Sequence, residues 1–149
     1  KAMLSHTRMG PLKLLDHYPT VFSRPNDLLV AWRLLSMALH FTAFLTVADY
    51  RHELIARSLP PVVEDQVDYD IMKQSTYTAL ATTFLALCVP AFGLLSARTV
   101  KMTGVNLLHC VNHTIAGALL IQVWQYTHHA VRIWHVAFLF GFPPAAVVW

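Results

Sequence analysis

Charged residues are scarce in this sequence. They make up 13% of the 149 residues, about half of the roughly 25% found in ordinary soluble domains. Apolar residues account for 56% of the chain, and the mean hydropathy is +0.47. A water-soluble globule with so few charges could not cover its surface, and intrinsic disorder requires low hydrophobicity and high net charge. The composition therefore indicates an integral membrane protein.

Sequence motifs for catalysis and phosphate binding are also missing. The chain has only 5 glycines and 2 cysteines, with no glycine-rich phosphate loop, no metal-ligand cysteine spacing and no convincing Ser-His-Asp order. Cys88 and Cys110 both fall in apolar stretches, which predicts reduced core residues and no disulfide. The net charge is +3, but the basic residues form no dense run, so we expect no nucleic-acid binding.

Long charge-free windows divide the chain into membrane spans. A spanning helix needs about 20 predominantly apolar residues, and it must be helical because lipid offers no partner for unpaired backbone groups. The sequence therefore predicts an all-α integral membrane protein, a small bundle of four transmembrane helices near residues 28–48, 75–96, 105–126 and 131–149. No carboxylate falls inside these spans, which argues against a proton-coupled transporter.

The segments between the spans predict how the chain lies in the membrane. Residues 1–27 form a basic segment suited to the membrane interface, and residues 49–73 form a polar loop with six acidic side chains. Tight turns are expected over 98–104 and 125–131. Six or seven Lys and Arg residues flank one side of the predicted spans against four on the other. Both termini are therefore expected on the cytoplasmic side.

A few residues interrupt the apolar spans. Arg33 lies near the start of the first span, and we expect its long side chain to carry the guanidinium back to the headgroups. Pro90 should kink the second span, and Pro143-Pro144 should kink or end the fourth.

Small residues in the second and third spans predict that these two helices form a tight hairpin, because small side chains let helix backbones approach closely in lipid. Aromatic residues lie near span ends, as membrane-interface belts do. The expected helix-packing and interface positions are Gly117, Ala86, Pro90, His109, Trp124, Trp134 and Pro144.

Nine histidines are the only feature that points to a cofactor. His40 lies in the first span, while His109 and His113 are four residues apart and share one face of the third. Histidine is a common haem ligand, so His40 and His113 are candidate ligands for haem b. Intramembrane histidines can equally hydrogen-bond a neighbouring helix. We favour this packing interpretation and expect no cofactor and no metal.

Short motifs occur along the chain in a recognisable order. The C-terminal ones are His109-Cys110, an apolar run to Trp124, Ile133-Trp134 and Pro144-Ala145. The upstream ones are Arg33-Leu34-Leu35, Leu59-Pro60, Tyr69-Asp70 and Lys73-Gln74. Together they cover roughly residues 33–146, and this pattern resembles the transmembrane protein 107 family, small four-span proteins of the ciliary transition zone.

The resemblance implies an architectural function without catalysis. The family is implicated in ciliogenesis, within the membrane-associated transition-zone complex linked to Meckel syndrome, which helps control what enters the ciliary membrane. The implied partners are the lipid bilayer and other transmembrane proteins of a multi-subunit complex.

One alternative is a hydrophobic anchor subunit of a succinate dehydrogenase-like respiratory complex in the mitochondrial inner membrane, with haem b or a quinone near the histidines. Another is an accessory subunit of some other large membrane assembly.

Overall fold

A computed structural model describes residues 25–59, 66–97, 99–126 and 129–146. Most of the predicted interfacial segment, residues 1–24, lies outside the described residues, and residues 25–27 begin the first helix. The helices are α1 (Pro25–Asp49), α2 (Arg51–Ser58), α3 (Gln66–Leu95), α4 (Thr103–Gln125), α5 (Arg132–Val136) and α6 (Phe142–Ala146), with a π-helical segment over Ala137–Gly141. The described residues contain no strand, in agreement with the predicted all-α class.

Within the described residues, three helices are long and apolar enough to cross a membrane. They run over Asn26–Asp49, Asp68–Leu95 and Thr103–Gln125, on the first three predicted spans. The fourth predicted span coincides with α5, the π-helical segment and α6, which follow one another without a gap and are called the C-terminal helix here. Residues 132–146 extend about 22 Å at 1.5 Å per residue, short of the roughly 30 Å hydrocarbon core. The four-span count and the orientation therefore stay predictions.

The helices pair differently from the predicted hairpin. α4 packs along the length of α1, whereas α3 and α4 make little contact with each other. The C-terminal helix packs against both α3 and α4, so that α3 and α4 occupy diagonal positions in the bundle. The hairpin prediction is wrong because Gly117 of α4 faces α1, and Ala86 of α3 faces Gly141 of the C-terminal helix.

The predicted loop over residues 49–73 is largely helical. α2 occupies residues 51–58, and α3 already begins at residue 66. Leu54 and Ile55 of α2 are fully buried, while Glu53 is exposed and pairs with Arg57 one turn later. The carboxylates of this segment that the structure describes lie at exposed positions of helices: Asp49, Glu53, Asp68 and Asp70. The prediction failed because it rested on these charges and not on the apolar residues between them, which form the buried face of α2.

The prolines do not end the helices. α3 continues through Pro90 to Leu95, and α6 includes both Pro143 and Pro144. Proline removes a backbone donor, and transmembrane helices tolerate this loss through local π adjustments and neighbouring donors. The π-helical segment stands immediately before Pro143-Pro144. Pro143 and Pro144 therefore do not end the fourth helix at their own positions, and the expected kinks at Pro90 and at Pro143-Pro144 stay predictions.

The two cysteines are free thiols, but neither is the buried core residue that the sequence predicted. Cys88 is exposed and Cys110 is half-buried. The core is instead an aliphatic cluster that includes Val47, Leu54 and Leu120. Many large apolar side chains remain exposed on the three long helices, for example Leu35 and Leu85, as lipid-facing surfaces do.

Candidate functional site: a buried polar column between α1 and α4

A close backbone contact brings α1 and α4 together. A Cβ placed on Gly117 would lie 3.2 Å from the Cα and N atoms of His40 and 3.3 Å from Cγ of Leu39. These separations are below ordinary van der Waals contact, so any larger residue would have to move the two backbones apart by a few tenths of an ångström or more. The seam between the two helices is not purely apolar. It carries fully buried polar side chains, which we call the polar column: Arg33, His40, Asn106, His109 and His113.

Arg33 is the charged member of the polar column. Its Nη1 group donates hydrogen bonds to Oγ1 of Thr99 (2.8 Å) and Oδ1 of Asn106 (2.9 Å), and Nη2 donates to the carbonyl oxygen of Pro90 (3.0 Å). The side chain is completely buried. The expectation that Arg33 reaches back to the headgroups is therefore wrong, because acceptors on α3, α4 and the turn between them bind both terminal nitrogens of the guanidinium inside the bundle.

Two asparagines extend this network to the end of the bundle. Asn26 Nδ2 donates to the carbonyl oxygen of Val100 (2.8 Å), and Asn106 Nδ2 donates to the same oxygen (2.9 Å) and to Oδ1 of Asn26 (3.0 Å). Thr99 also donates to the carbonyl of Gly93 at 3.3 Å. The network thus fixes the α3–α4 turn against the start of α1.

No carboxylate accompanies Arg33 in the part of the chain that the structure describes. The one ion pair there joins Arg57 to Glu53, both exposed. A charge buried in a membrane bundle normally pairs with another charge or with backbone carbonyls. Arg33 uses neutral oxygens from three separate segments, so its removal would take one hydrogen-bond donor away from each of them.

Three histidines form the deeper part of the polar column. The Nδ1 atoms of His40 and His113 lie 3.0 Å apart, so one ring must carry a proton on Nδ1 and the other must accept it. The His109 ring stacks on His113 with centroids 5.7 Å apart. Within the described residues, both nitrogens of His109 and the Nε2 atoms of the other two rings have no hydrogen-bond partner.

The histidine geometry does not fit the haem candidate. A bis-histidine haem places an iron atom and the porphyrin plane between the two coordinating nitrogens. His40 and His113 instead touch directly through Nδ1, which leaves no space for a porphyrin between them. No group of three or more His, Cys, Asp or Glu side chains in the described ranges could hold a metal ion. The respiratory-anchor alternative therefore has no support from these residues.

The other predicted packing positions lie mainly between α3 and the C-terminal helix. Ala86 is buried, and a Cβ placed on Gly141 would lie 3.0 Å from its Cβ. Trp134 Nε1 donates to Oγ of Ser75 on α3 at 3.1 Å. Pro144 is also buried. Trp124 is 41% exposed at the end of α4.

Arg33, Asn106 and Thr99 were not predicted to act together. Each is a polar residue inside or beside an apolar segment, and this is the one feature of the sequence that could have marked it as a functional candidate. Their contacts join residues 66 and 73 positions apart. Periodicity reports only local structure, so it could not connect them.

One comparison with known proteins identifies the family of the chain. The family model of TMEM107, described as a transmembrane protein, matches residues 29–148. No curated protein and no solved structure matches the chain. The matched range includes most of α1, all of α3, α4 and the C-terminal helix, and the whole polar column, whereas Asn26 precedes it by three residues. The chain therefore belongs to the transmembrane protein 107 family.

Proposed function

We propose that this protein is a non-enzymatic, architectural component of the ciliary transition zone, which recruits other membrane proteins and contributes to ciliogenesis and to the ciliary membrane gate. The observation that carries the proposal is the family match over residues 29–148. The resemblance noted in the sequence points to the same family and supplies the cellular role.

The internal construction of the bundle supports an architectural role. A scaffold must hold its outer helix faces at fixed positions so that partner helices meet the same surface each time. The polar column ties α1, α4 and the α3–α4 turn together through directional hydrogen bonds, and Gly117 adds close backbone packing. The exposed apolar faces of α1 and α3 remain available to lipid and to other transmembrane helices.

The proposal includes four spans with both termini in the cytoplasm. The predicted fourth span, residues 131–149, includes the C-terminal helix. The α3–α4 turn then lies on the cytoplasmic side with the start of α1, to which Asn26 and Arg33 attach it. α2 and the acidic residues near it would face the opposite side, where they can meet the extracellular parts of partner proteins.

Removal of the protein from ciliated cells tests this function. We expect fewer ciliated cells and faster entry of a plasma-membrane reporter into the remaining cilia. The wild-type chain and Gly104→Ala, a change at an open position of α4, should restore both. Gly117→Leu, which separates α1 from α4, should not. Normal cilia with an intact membrane barrier after complete removal would refute the proposal.

A further inference from the structure

Asn112 lies near the middle of α4, and its side-chain amide makes no hydrogen bond with the described residues. The helix has 23 residues, and Asn112 stands two residues before its centre, about 3 Å away at 1.5 Å per residue. The side chain is half-buried. Hydroxyl groups at similar depth are satisfied by their own helices: Thr114 donates to the carbonyl of Cys110 (2.7 Å), and Thr82 donates to that of Thr78 (2.8 Å).

An amide without a partner is costly at this depth. The hydrocarbon core holds no water that could replace a missing hydrogen bond. Asparagine side chains in transmembrane helices therefore form hydrogen bonds to neighbouring helices and hold them together. The amide carries both donors and an acceptor, so two copies of the same side chain can bond to each other reciprocally.

The residues beside Asn112 form a stripe that suits a second helix. Steps of four, three and four residues place four side chains along one side of α4, which we call the α4 seam: Leu108, Asn112, Ile115 and Leu119. Leu108 and Ile115 are exposed. Leu108 lies about 180° around the helix from Gly117 at 100° per residue, so the seam faces away from the contact with α1.

The spacing and the charge of the α4 seam both favour a second copy of α4 as its occupant. Alternating steps of four and three are those of the a and d positions of paired helices, where an asparagine at a single a position fixes the register. α4 contains no Asp, Glu, Lys or Arg, so two copies can approach each other without repulsion between like charges.

We infer that two copies of this protein associate in parallel through their α4 seams, with the two Asn112 side chains hydrogen-bonded to each other. Loop charge gives every copy of a membrane protein the same orientation. Two neighbouring α4 helices therefore run parallel, and Asn112 lies at the same depth in both. The inference concerns the pairing of the chain with itself, and it holds in any cellular membrane, whatever the cellular role.

Disulfide cross-linking of the full chain in phosphatidylcholine vesicles tests which side of α4 forms the interface. Cys88 and Cys110 are first replaced by serine, and one new cysteine is then introduced. We expect a cross-linked dimer in Leu108→Cys and in Ile115→Cys, because equivalent seam positions meet across the two-fold axis. Leu107→Cys is the matched control. Leu107 is also exposed, but it lies about 100° around the helix from Leu108 and should give no dimer.

Förster transfer between labelled chains in the same vesicles measures the contribution of the amide. Asn112→Leu should weaken association about tenfold, since an interhelical hydrogen bond in a membrane is worth up to about one decade in affinity. Asn112→Gln keeps the amide and should keep most of the association. Leu107→Ala removes apolar surface outside the seam and should change nothing.

Thermal unfolding in dilute detergent, where the chain is monomeric, separates pairing from folding. Asn112→Leu should be no less stable than the wild type, because the amide has no partner to lose within the monomer. A lower stability would place that partner in the chain itself and overturn the inference. A chain that stays monomeric in vesicles at every density, equal cross-linking of Leu107→Cys and Leu108→Cys, or unchanged association of Asn112→Leu would also overturn it. So would association that requires a different transmembrane protein.

Discussion

Gly117 is the position at which the packing of α1 on α4 can be tested most sharply. A Cβ at this position would lie 3.2 Å from two backbone atoms of His40 and 3.3 Å from Leu39. The backbone cannot rotate away as a flexible side chain can, so Gly117→Ala must push α1 and α4 apart by a few tenths of an ångström. Overpacking of this kind costs about 1–3 kcal/mol.

Gly104 offers a matched control on the same helix. A Cβ there would meet nothing within 4 Å, so Gly104→Ala changes only the backbone preference, which favours alanine by up to about 1 kcal/mol. The same preference acts in Gly117→Ala. The difference in unfolding free energy between the two variants therefore isolates the packing term, and we expect Gly117→Ala to be less stable than Gly104→Ala by about 1–3 kcal/mol.

Thermal unfolding of the purified variants in one detergent measures this difference, and size-exclusion chromatography gives the folded yield. Gly117→Leu should lower both measures further, because several carbons would enter a space already closed by backbone. Equal stability of Gly117→Ala and Gly104→Ala would refute the close approach of α1 to α4. An undiminished folded yield of Gly117→Leu would refute it independently.

Three further changes test other contacts. Arg33→Lys keeps the positive charge but loses the fork that reaches three acceptors, so the thermal midpoint should fall by the equivalent of about 1–3 kcal/mol; an unchanged midpoint would contradict the network. Ser58→Ala removes the oxygen that accepts a hydrogen bond from the Ala130 N–H at 2.8 Å. The free energy of unfolding should fall by about 1–3 kcal/mol, and the Ala130 amide should exchange its hydrogen faster; unaltered exchange would count against this bond. Ala97 has a φ of 56° after α3, where an L-residue pays about 1–2 kcal/mol; Ala97→Gly should raise the thermal midpoint slightly, and a lower midpoint would argue against the left-handed conformation.

The spanning helices were predictable because the membrane imposes their length and their composition. Charge-free windows found α1, α3 and α4, since about 20 apolar residues are needed to cross the hydrocarbon core. The choice of helix partners was not predictable in this way. Lipid is as apolar as a helix interface, so the hydrophobic pattern does not indicate which face is buried. Small residues occur on both α3 and α4, but Gly117 faces α1 and Ala86 faces the C-terminal helix.

The polar column was also only partly predictable from the sequence. His40, His109 and His113 were recognised as unusual, and two of them as neighbours on one helix face. The distance between α1 and α4 decides whether His40 and His113 coordinate a haem between them or bond to each other directly. Gly117 allows the short distance, and the histidine positions in the sequence do not reveal it. The 3.0 Å contact between their Nδ1 atoms is a tertiary result, as is the burial of Arg33.

The location of the protein in the cell tests the central proposal most directly. A tagged full chain, expressed at its native level in a ciliated cell, should be imaged beside markers of the transition zone and of mitochondria. The architectural account predicts a ring at the base of the cilium that coincides with the transition-zone marker. A mitochondrial signal, with none at the ciliary base, would contradict it.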